Sequence, residues 1–272
     1  IDEYIFSKAK RLKVVASHGV GTDHIDVDAA TKHNVLVVNT PGANAESVAE
    51  MVVGMMIALS RKIVAGDIAL RVNKDFYYRN NCIGSDLFKK TIGIFGMGQI
   101  GQRLARICSM GFSMKVLGYD PYVSAKKMLE MNVTKVNKIE DLVSNSDYIS
   151  LNCPYFEELH KMVNEDFLKL MKPSAFLINC ARGQLIDEQA LYNALKNKTI
   201  AGAALDVLYE EPPKPDNPLF TLPNVITTPH IAAYAKDSID NMSLISALDV
   251  LHVLNGNAEK AHVVNKELLT SL

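Results

Sequence analysis

The stretch TIGIFGMGQIGQRLARI (residues 91–107) constrains the fold more than any other part of the chain. Gly96, Gly98 and Gly101 stand there in GxGxxG spacing, between an apolar β-favouring run and a helix-forming one. In that setting each glycine has a mechanical use. Gly96 permits the tight turn, Gly98 lets backbone approach a pyrophosphate, and Gly101 lets helix and strand pack closely. The N–H groups from Met97 through Gln99 to Ile100 then face the anion, and the helix dipole adds to the attraction. Asp120, nineteen residues past Gly101, ends the run KVLGYD. A carboxylate in that position accepts hydrogen bonds from both ribose hydroxyls and repels a 2′-phosphate, which selects NAD over NADP. The competing reading is a glycine turn followed by an ordinary strand-end acid. The joint presence of strand, helix and acid weighs against it.

Apolar runs of the same kind recur along the chain: LKVVAS (12–17), VLVVN (35–39), TIGIFG (91–96), KVLGYD (115–120), YISLN (148–152), AFLINC (175–180), AGAALDV (201–207) and VITTP (225–229). Short runs that are apolar throughout suit parallel strands covered on both faces. Helical stretches separate them, among them GQRLARICSMG (101–111), NEDFLKLM (164–171) and DEQALYNALKNK (187–198). In the last, Leu191, Ala194 and Leu195 share one face and Asp187 is a suitable N-cap. This alternation predicts an α/β fold with a doubly wound parallel sheet. Residues 40–64 predict one long helix, entered through a Pro-Gly turn and apolar enough to be buried on more than one side. Residues 235–256 predict another, stopped by Gly256. A domain boundary is expected near residue 68. Residues 1–68 and 235–272 would then form one domain and residues 69–234 the dinucleotide-binding domain.

Composition removes several function classes. The net charge of −1 gives no broad electrostatic case for nucleic acid or an anionic membrane. The longest apolar stretch, MVVGMMIAL (51–59), is too short to span a bilayer. The opening IDEYIFSKAKRLK lacks the apolar core of a signal peptide. The four cysteines (Cys82, Cys108, Cys153, Cys180) show no CxxC spacing, which points to a reduced, cytoplasmic chain with no metal site.

Three polar residues stand at or just past the ends of strand-like runs. Arg182 lies in INCARGQLID, Glu211 in LDVLYEEPP and His230 in TTPHIAA. In an open parallel sheet, ligands bind outside the carboxyl ends of the strands, so all three can converge there. The residue types suit hydride transfer from a secondary alcohol. Histidine takes the hydroxyl proton, a carboxylate orients its ring, and a guanidinium grips a substrate carboxylate through two parallel hydrogen bonds. Taken singly, each has a plainer reading: a loop histidine, an arginine neutralising Asp187, a solvated loop acid. Glu210 competes with Glu211 for the acid's role.

The ordered blocks HGVGTDHID (18–26), NTPGANAESVAE (39–50), GIFGMGQIG (93–101), YDPY (119–122), MKPSAFLINCARG (171–183), AALDVLYEEPP (203–213) and TPHIAA (228–233) make the chain resemble the D-isomer-specific 2-hydroxyacid dehydrogenase family over nearly its whole length. The likeness is greatest to its D-3-phosphoglycerate dehydrogenase and hydroxypyruvate reductase branch. The resemblance implies an NAD-dependent oxidoreductase acting on a small D-2-hydroxy acid, 3-phosphoglycerate or glycerate/hydroxypyruvate foremost. It implies Arg182, Glu211 (rather than Glu210) and His230 as the catalytic trio. It adds Asp206 at the nicotinamide carboxamide, Gln99 and Ile100 at the pyrophosphate, and Cys153, Pro154, Cys180 and Ala181 lining the cofactor. It assigns the loop of Ser17, Gly19, Val20 and Gly21 to the substrate carboxylate. It further implies a Rossmann NAD domain inserted in a smaller, flavodoxin-like α/β substrate domain, N-terminally incomplete here, and a homodimer formed through the NAD domain. The stretch NCPYFEELHKMVN departs from the family's usual leucine-threonine pair after NCP. Two alternatives remain: oxidation of formate or phosphite on the same scaffold, and a non-catalytic, NAD-sensing dimer of the co-repressor kind. The joint retention of Arg182, Glu211 and His230 weighs against the sensor.

Overall fold

In the computed structural model, which describes residues 1–270, every strand runs parallel to its sheet neighbours. β1 (Val14–Ala16) and β2 (Leu36–Val38) pair in a two-stranded sheet. β3 (Thr91–Phe95), β4 (Lys115–Tyr119), β5 (Val133–Lys135), β6 (Tyr148–Leu151), β7 (Phe176–Asn179), β8 (Gly202–Leu205) and β9 (Val225–Thr227) form a second sheet in the order β5-β4-β3-β6-β7-β8-β9. From β3 the chain winds outward through β4 and β5, then returns to β3's other side with β6 and winds outward again. The reversal between β3 and β6 is a topological switch point, where such sheets bind their ligands.

The large sheet is doubly wound because both of its faces are apolar. Alternate residues of a strand point to opposite faces. Ile149 and Leu151 of β6 accordingly join Leu177, Leu191 and Leu195 in one buried cluster. Tyr148 of β6 joins Ile92, Ile94, Leu104 and Ile178 in the other. Asp187 caps the helix Glu188–Lys196 by accepting from the N–H groups of Gln189 and Ala190, and Leu191, Ala194 and Leu195 are its buried face.

The chain divides into two compact units, Ile1–Ser47 with Ala233–Leu272, and Val48–Ala232. The first crossing therefore lies at Ser47/Val48 and not near residue 68. The reason is the helix Ala45–Ser60: Ala49, Val52, Met56 and Leu59 are buried in the cluster that holds Ile92 and Leu104. The second crossing lies at Ala232/Ala233, against the expected 234/235. The long helix expected over 40–64 is two helices, Ala45–Ser60 and Ile63–Arg71, separated by a left-handed Lys62 at φ 52°. Ser60 ends the first. Its carbonyl accepts the N–H of Ser85, and its hydroxyl bonds both the Met56 carbonyl and the Tyr148 hydroxyl. The helix expected over 101–111 begins at Gln99 and widens into a π-turn over Ile107–Gly111.

The first unit has its own core of Phe6, Val15, Ile25, Ala29, Ala30, Val35 and Val37. The buried Asn265 accepts the N–H of Val37 and donates to the carbonyl of Val35, which ties the C-terminal segment to β2. The last α-helix is Lys236–Leu254, and Gly256 follows it at φ 74°, the left-handed stop expected there. Among the described residues, no helix is long and apolar enough to cross a membrane.

Candidate active site

At the switch point, β3 ends in a turn that only glycine fits. Gly96 has φ 93°, and a β-carbon on it would lie 2.8 Å from the carbonyl of Asn152. A β-carbon on Gly101 would lie 2.2 Å from the Gly96 carbonyl oxygen, so the helix Gln99–Arg106 could not pack on the turn. A β-carbon on Gly98 would meet nothing within 4 Å. Packing thus accounts for Gly96 and Gly101 but leaves open space in front of Gly98, at the start of the helix. Gln99 and Ile100 stand in its first turn, where N–H groups have no partner inside the helix. An open face and unspent donors fit a pyrophosphate.

Met97 departs from expectation. Its N–H is donated to Asp120 Oδ2 at 2.9 Å and so is not among the anion-facing donors. Asp120 Oδ1 accepts the N–H of Tyr122 at 2.8 Å. Each oxygen of a carboxylate has a second acceptor position. Asp120 therefore braces the glycine turn and keeps capacity for ribose hydroxyls.

Cys153 and Pro154 follow β6, and Cys180 and Ala181 follow β7, all at the carboxyl edge of the sheet. Burial pushes the Cys153 thiol up to about 12 and raises Cys180 as well, with the Asp206 carboxylate adding to the second shift. Both are neutral thiols at ordinary pH rather than nucleophiles. Cys180 lies with its sulfur 3.7 Å from that of Met55.

Arg182 is half-buried in a turn set by Asn179, the last residue of β7. Asn179 accepts the N–H of Ala181 at 2.9 Å and donates to the carbonyl of Arg182 at 2.8 Å. The Arg182 guanidinium donates through Nη1 to the Ala181 carbonyl at 2.7 Å. Asp187, offered above as a partner for Arg182, has Lys161 at 3.8 Å and caps its helix.

His230 Nδ1 lies 2.8 Å from Glu211 Oε2. An ionised carboxylate only accepts, so Nδ1 carries a proton in this bond and Nε2 is the ring nitrogen not engaged by Glu211. Glu211 Oε1 accepts the N–H of Leu208 at 3.1 Å, which fixes the acid in turn. Its rival Glu210 pairs with Lys214 at 3.6 Å and has no bond to the imidazole. A pocket of about 340 Å³ opens beside the pair, with Asp206, Leu208, Phe220 and Thr228 in its wall. The arginine and glutamate loops touch: a β-carbon on Gly183 would lie 2.0 Å from the Leu208 carbonyl oxygen.

Asp206 is 1% exposed and follows β8. Its carboxylate accepts from the Thr228 hydroxyl and from the N–H groups of Ile231 and Ala232. The roles of Asn179, Thr228, Gly183 and Leu208 escape sequence reasoning, although a polar Asn179 closing an apolar strand is a readable signal for a turn. Ser17, Gly19, Val20 and Gly21 belong to the first unit, where the Ser17 hydroxyl closes the loop onto the Gly21 carbonyl at 2.7 Å and Gly19 has φ 151°. Among the described residues, no group of three or more His, Cys, Asp or Glu is placed to hold a metal ion.

Residues 53–232 match the family model described as D-isomer specific 2-hydroxyacid dehydrogenase, NAD binding domain. A D-3-phosphoglycerate dehydrogenase of Methanocaldococcus jannaschii is 41% identical over 261 residues, covering 96% of this chain and 49% of that protein. This chain thus spans about half the length of that relative. A glyoxylate reductase of Korarchaeum cryptofilum is 37% identical over 271 residues, covering 99% of this chain and 81% of that protein. Among solved structures, a D-lactate dehydrogenase from Aquifex aeolicus, complexed with NAD and lactic acid, superposes with a TM-score of 0.86 at 33% identity, covering 97% of this chain and 83% of that one.

Proposed function

Since the chain belongs to the D-isomer-specific 2-hydroxyacid dehydrogenase family, we propose that it moves a hydride between NAD and C2 of a small D-2-hydroxy acid, with 3-phosphoglycerate or glycerate and their keto acids as the foremost substrates. The observation that carries this reading is the 2.8 Å contact between His230 Nδ1 and Glu211, which leaves Nε2 free at the carboxyl edge of the sheet.

The residues divide the work. Gly96, Gly98, Gln99, Ile100 and Gly101 hold the pyrophosphate, and Asp120 the ribose. Cys153, Pro154, Cys180 and Ala181 line the cofactor, with Asp206 at its carboxamide. NAD, when bound, supplies the acceptor for the substrate's hydride. Arg182 grips the substrate carboxylate and, in the keto acid, polarises the carbonyl. His230 Nε2 takes the hydroxyl proton as the alcohol becomes a ketone, and returns it in the reverse direction. Glu211 keeps the ring proton on Nδ1 and supplies the counter-charge to the imidazolium that forms. The assignment of Ser17, Gly19, Val20 and Gly21 to the substrate carboxylate rests on the family resemblance. Relatives named for phosphoglycerate and for glyoxylate support a small 2-keto acid as the substrate class. A homodimer through the NAD domain and a cytoplasmic setting complete the proposal, the latter supported by four free cysteines.

The test is NADH oxidation with hydroxypyruvate, 3-phosphohydroxypyruvate, glyoxylate and pyruvate. Turnover with at least one of them is expected, falling by about a hundredfold or more in His230→Ala. Equal rates in wild type and variant would remove His230 from the chemistry. NADH binding without turnover on any of the four would favour the sensor.

A further inference from the structure

His230 has φ 55°, a left-handed backbone that residues bearing a β-carbon seldom adopt. Such a conformation persists only where its surroundings over-determine it. Here Asp206 supplies most of them, and the Thr228 carbonyl also accepts the His230 N–H at 3.0 Å. β9 leaves the sheet after Thr228 donates to the Leu205 carbonyl, and Pro229 has no N–H with which to continue the ladder. Asp206 then catches the donors around the turn. Its carbonyl accepts the N–H of His230 at 2.8 Å. Its Oδ1 accepts the Thr228 hydroxyl at 2.6 Å and the Ile231 N–H at 2.8 Å, and its Oδ2 accepts the Ala232 N–H at 2.8 Å. The bonds bracket His230 on both sides, while Glu211 holds its ring.

We propose that Asp206 is a positioning residue for His230: its buried carboxylate locks the 228–232 turn and thereby aims the imidazole. The catalytic consequence rests on the dehydrogenase reading; the geometric part does not. The role is distinct from a contact with the nicotinamide carboxamide. Of about four acceptor positions on the carboxylate, protein donors take three, and the one remaining is on Oδ2.

Thr228 separates the two roles, because it touches Asp206 without being one of the proposed cofactor contacts. Thr228→Val removes one donor to Oδ1 and keeps the side chain's shape. Its kcat is expected to fall by about tenfold to a hundredfold, since a small misplacement of a reacting group costs that much. The dissociation constant for NADH, from fluorescence titration, should stay within about twofold of wild type, because the loss lies in positioning rather than binding. Thr228→Ser keeps the hydroxyl and should restore kcat. A third readout needs neither substrate nor cofactor. The Nδ1 proton of His230, observed by nitrogen-edited NMR on protein labelled at histidine, should be sharp in wild type and in Thr228→Ser and broadened in Thr228→Val. If Thr228→Val does not fold, Thr228→Ala carries the same comparison. The amides of Ile231 and Ala232 should also be protected from hydrogen exchange in wild type, and free exchange there overturns the proposal without any variant. So does a Thr228→Val protein whose kcat and His230 resonance match wild type. An Asp206→Asn protein that loses only NADH affinity, with the His230 resonance unmoved, would leave the carboxamide contact as the residue's whole role. If no 2-keto acid is turned over, the dehydrogenase reading fails, and the resonance and exchange data still decide the positioning role.

Discussion

Gly183 and Leu208 meet backbone to backbone: a β-carbon on Gly183 would lie 2.0 Å from the Leu208 carbonyl oxygen and 2.1 Å from its carbonyl carbon. Neither atom belongs to a flexible side chain, so the loops must part if a methyl is added. One loop carries Arg182, and the other carries Glu211, which accepts the Leu208 N–H at 3.1 Å. Gly183→Ala is therefore expected to lose about 1–3 kcal/mol of stability, as overpacking does. It should also lower kcat, because the acid behind His230 moves. Urea unfolding together with turnover checks this, and a variant matching wild type in both would show that the loops do not depend on each other.

Gly98 is the opposite case. A β-carbon there meets nothing within 4 Å, and its φ of −69° suits any residue. Gly98→Ala should cost at most about 1 kcal/mol of stability, the worth of an N-cap preference. It should nevertheless weaken NADH binding strongly, because the methyl enters the space left for the pyrophosphate. Unfolding curves and NADH titration on one preparation separate the effects. Undiminished NADH affinity would mean that the open space at Gly98 is not the phosphate site.

Asp120 joins a structural and a recognition role. It accepts the N–H groups of Met97 and Tyr122, and its remaining acceptor positions suit ribose hydroxyls. Asp120→Ser is expected to weaken NADH by roughly tenfold to a hundredfold, the worth of one or two charge-assisted hydrogen bonds. NADPH should gain relative to NADH, because the repulsion of a 2′-phosphate is relieved. The ratio of kcat/KM for the two cofactors is the measurement. A wild-type preference for NADPH would refute the reading of this acid.

These residues also show what a sequence can and cannot display. β6 and β8 are buried at every position, so YISL and GAAL stand out as short runs without a charged residue, GAAL apolar throughout and YISL interrupted only by the small Ser150. β5, Val133–Lys135, is an edge strand with one buried residue, and VTK carries no such mark. The break after Ser60 carries no local mark: the partner of the Ser60 carbonyl is the distant Ser85 N–H, and the left-handed residue that follows is a lysine rather than a glycine. His230, Glu211 and Arg182 are legible by residue type and strand-end placement, since chemistry restricts the types. The grip of Asp206 is not, because two of its carboxylate's three partners are backbone N–H groups, which any residue but proline supplies.

The segment after the helix break bears on assembly. Ile63, Val64, Ile68 and Leu70 of the helix Ile63–Arg71 are exposed, and so are Val72, Phe76 and Phe88 beyond it. Tyr77 is 77% and Ile83 81% exposed. Single exposed apolar residues need no explanation, but a run of this size on one segment marks a surface meant to be covered. A second copy of the chain is the expected cover, in line with the proposed dimer through the NAD domain. A stable interface needs roughly 1,200 Å² or more of total buried surface, which large aromatic and aliphatic side chains on both partners would supply. Light scattering at micromolar concentration is expected to give twice the 30.0 kDa chain mass. The double substitution Tyr77→Ser with Ile83→Asp should shift the mass to that of one chain, because a charge buried without a partner is strongly unfavourable at an interface. The variant should keep its fold, since neither side chain contributes to the chain's own core. A wild-type protein that stays monomeric would leave the exposed segment without its proposed partner, and a variant that stays dimeric would place the contact elsewhere on the chain.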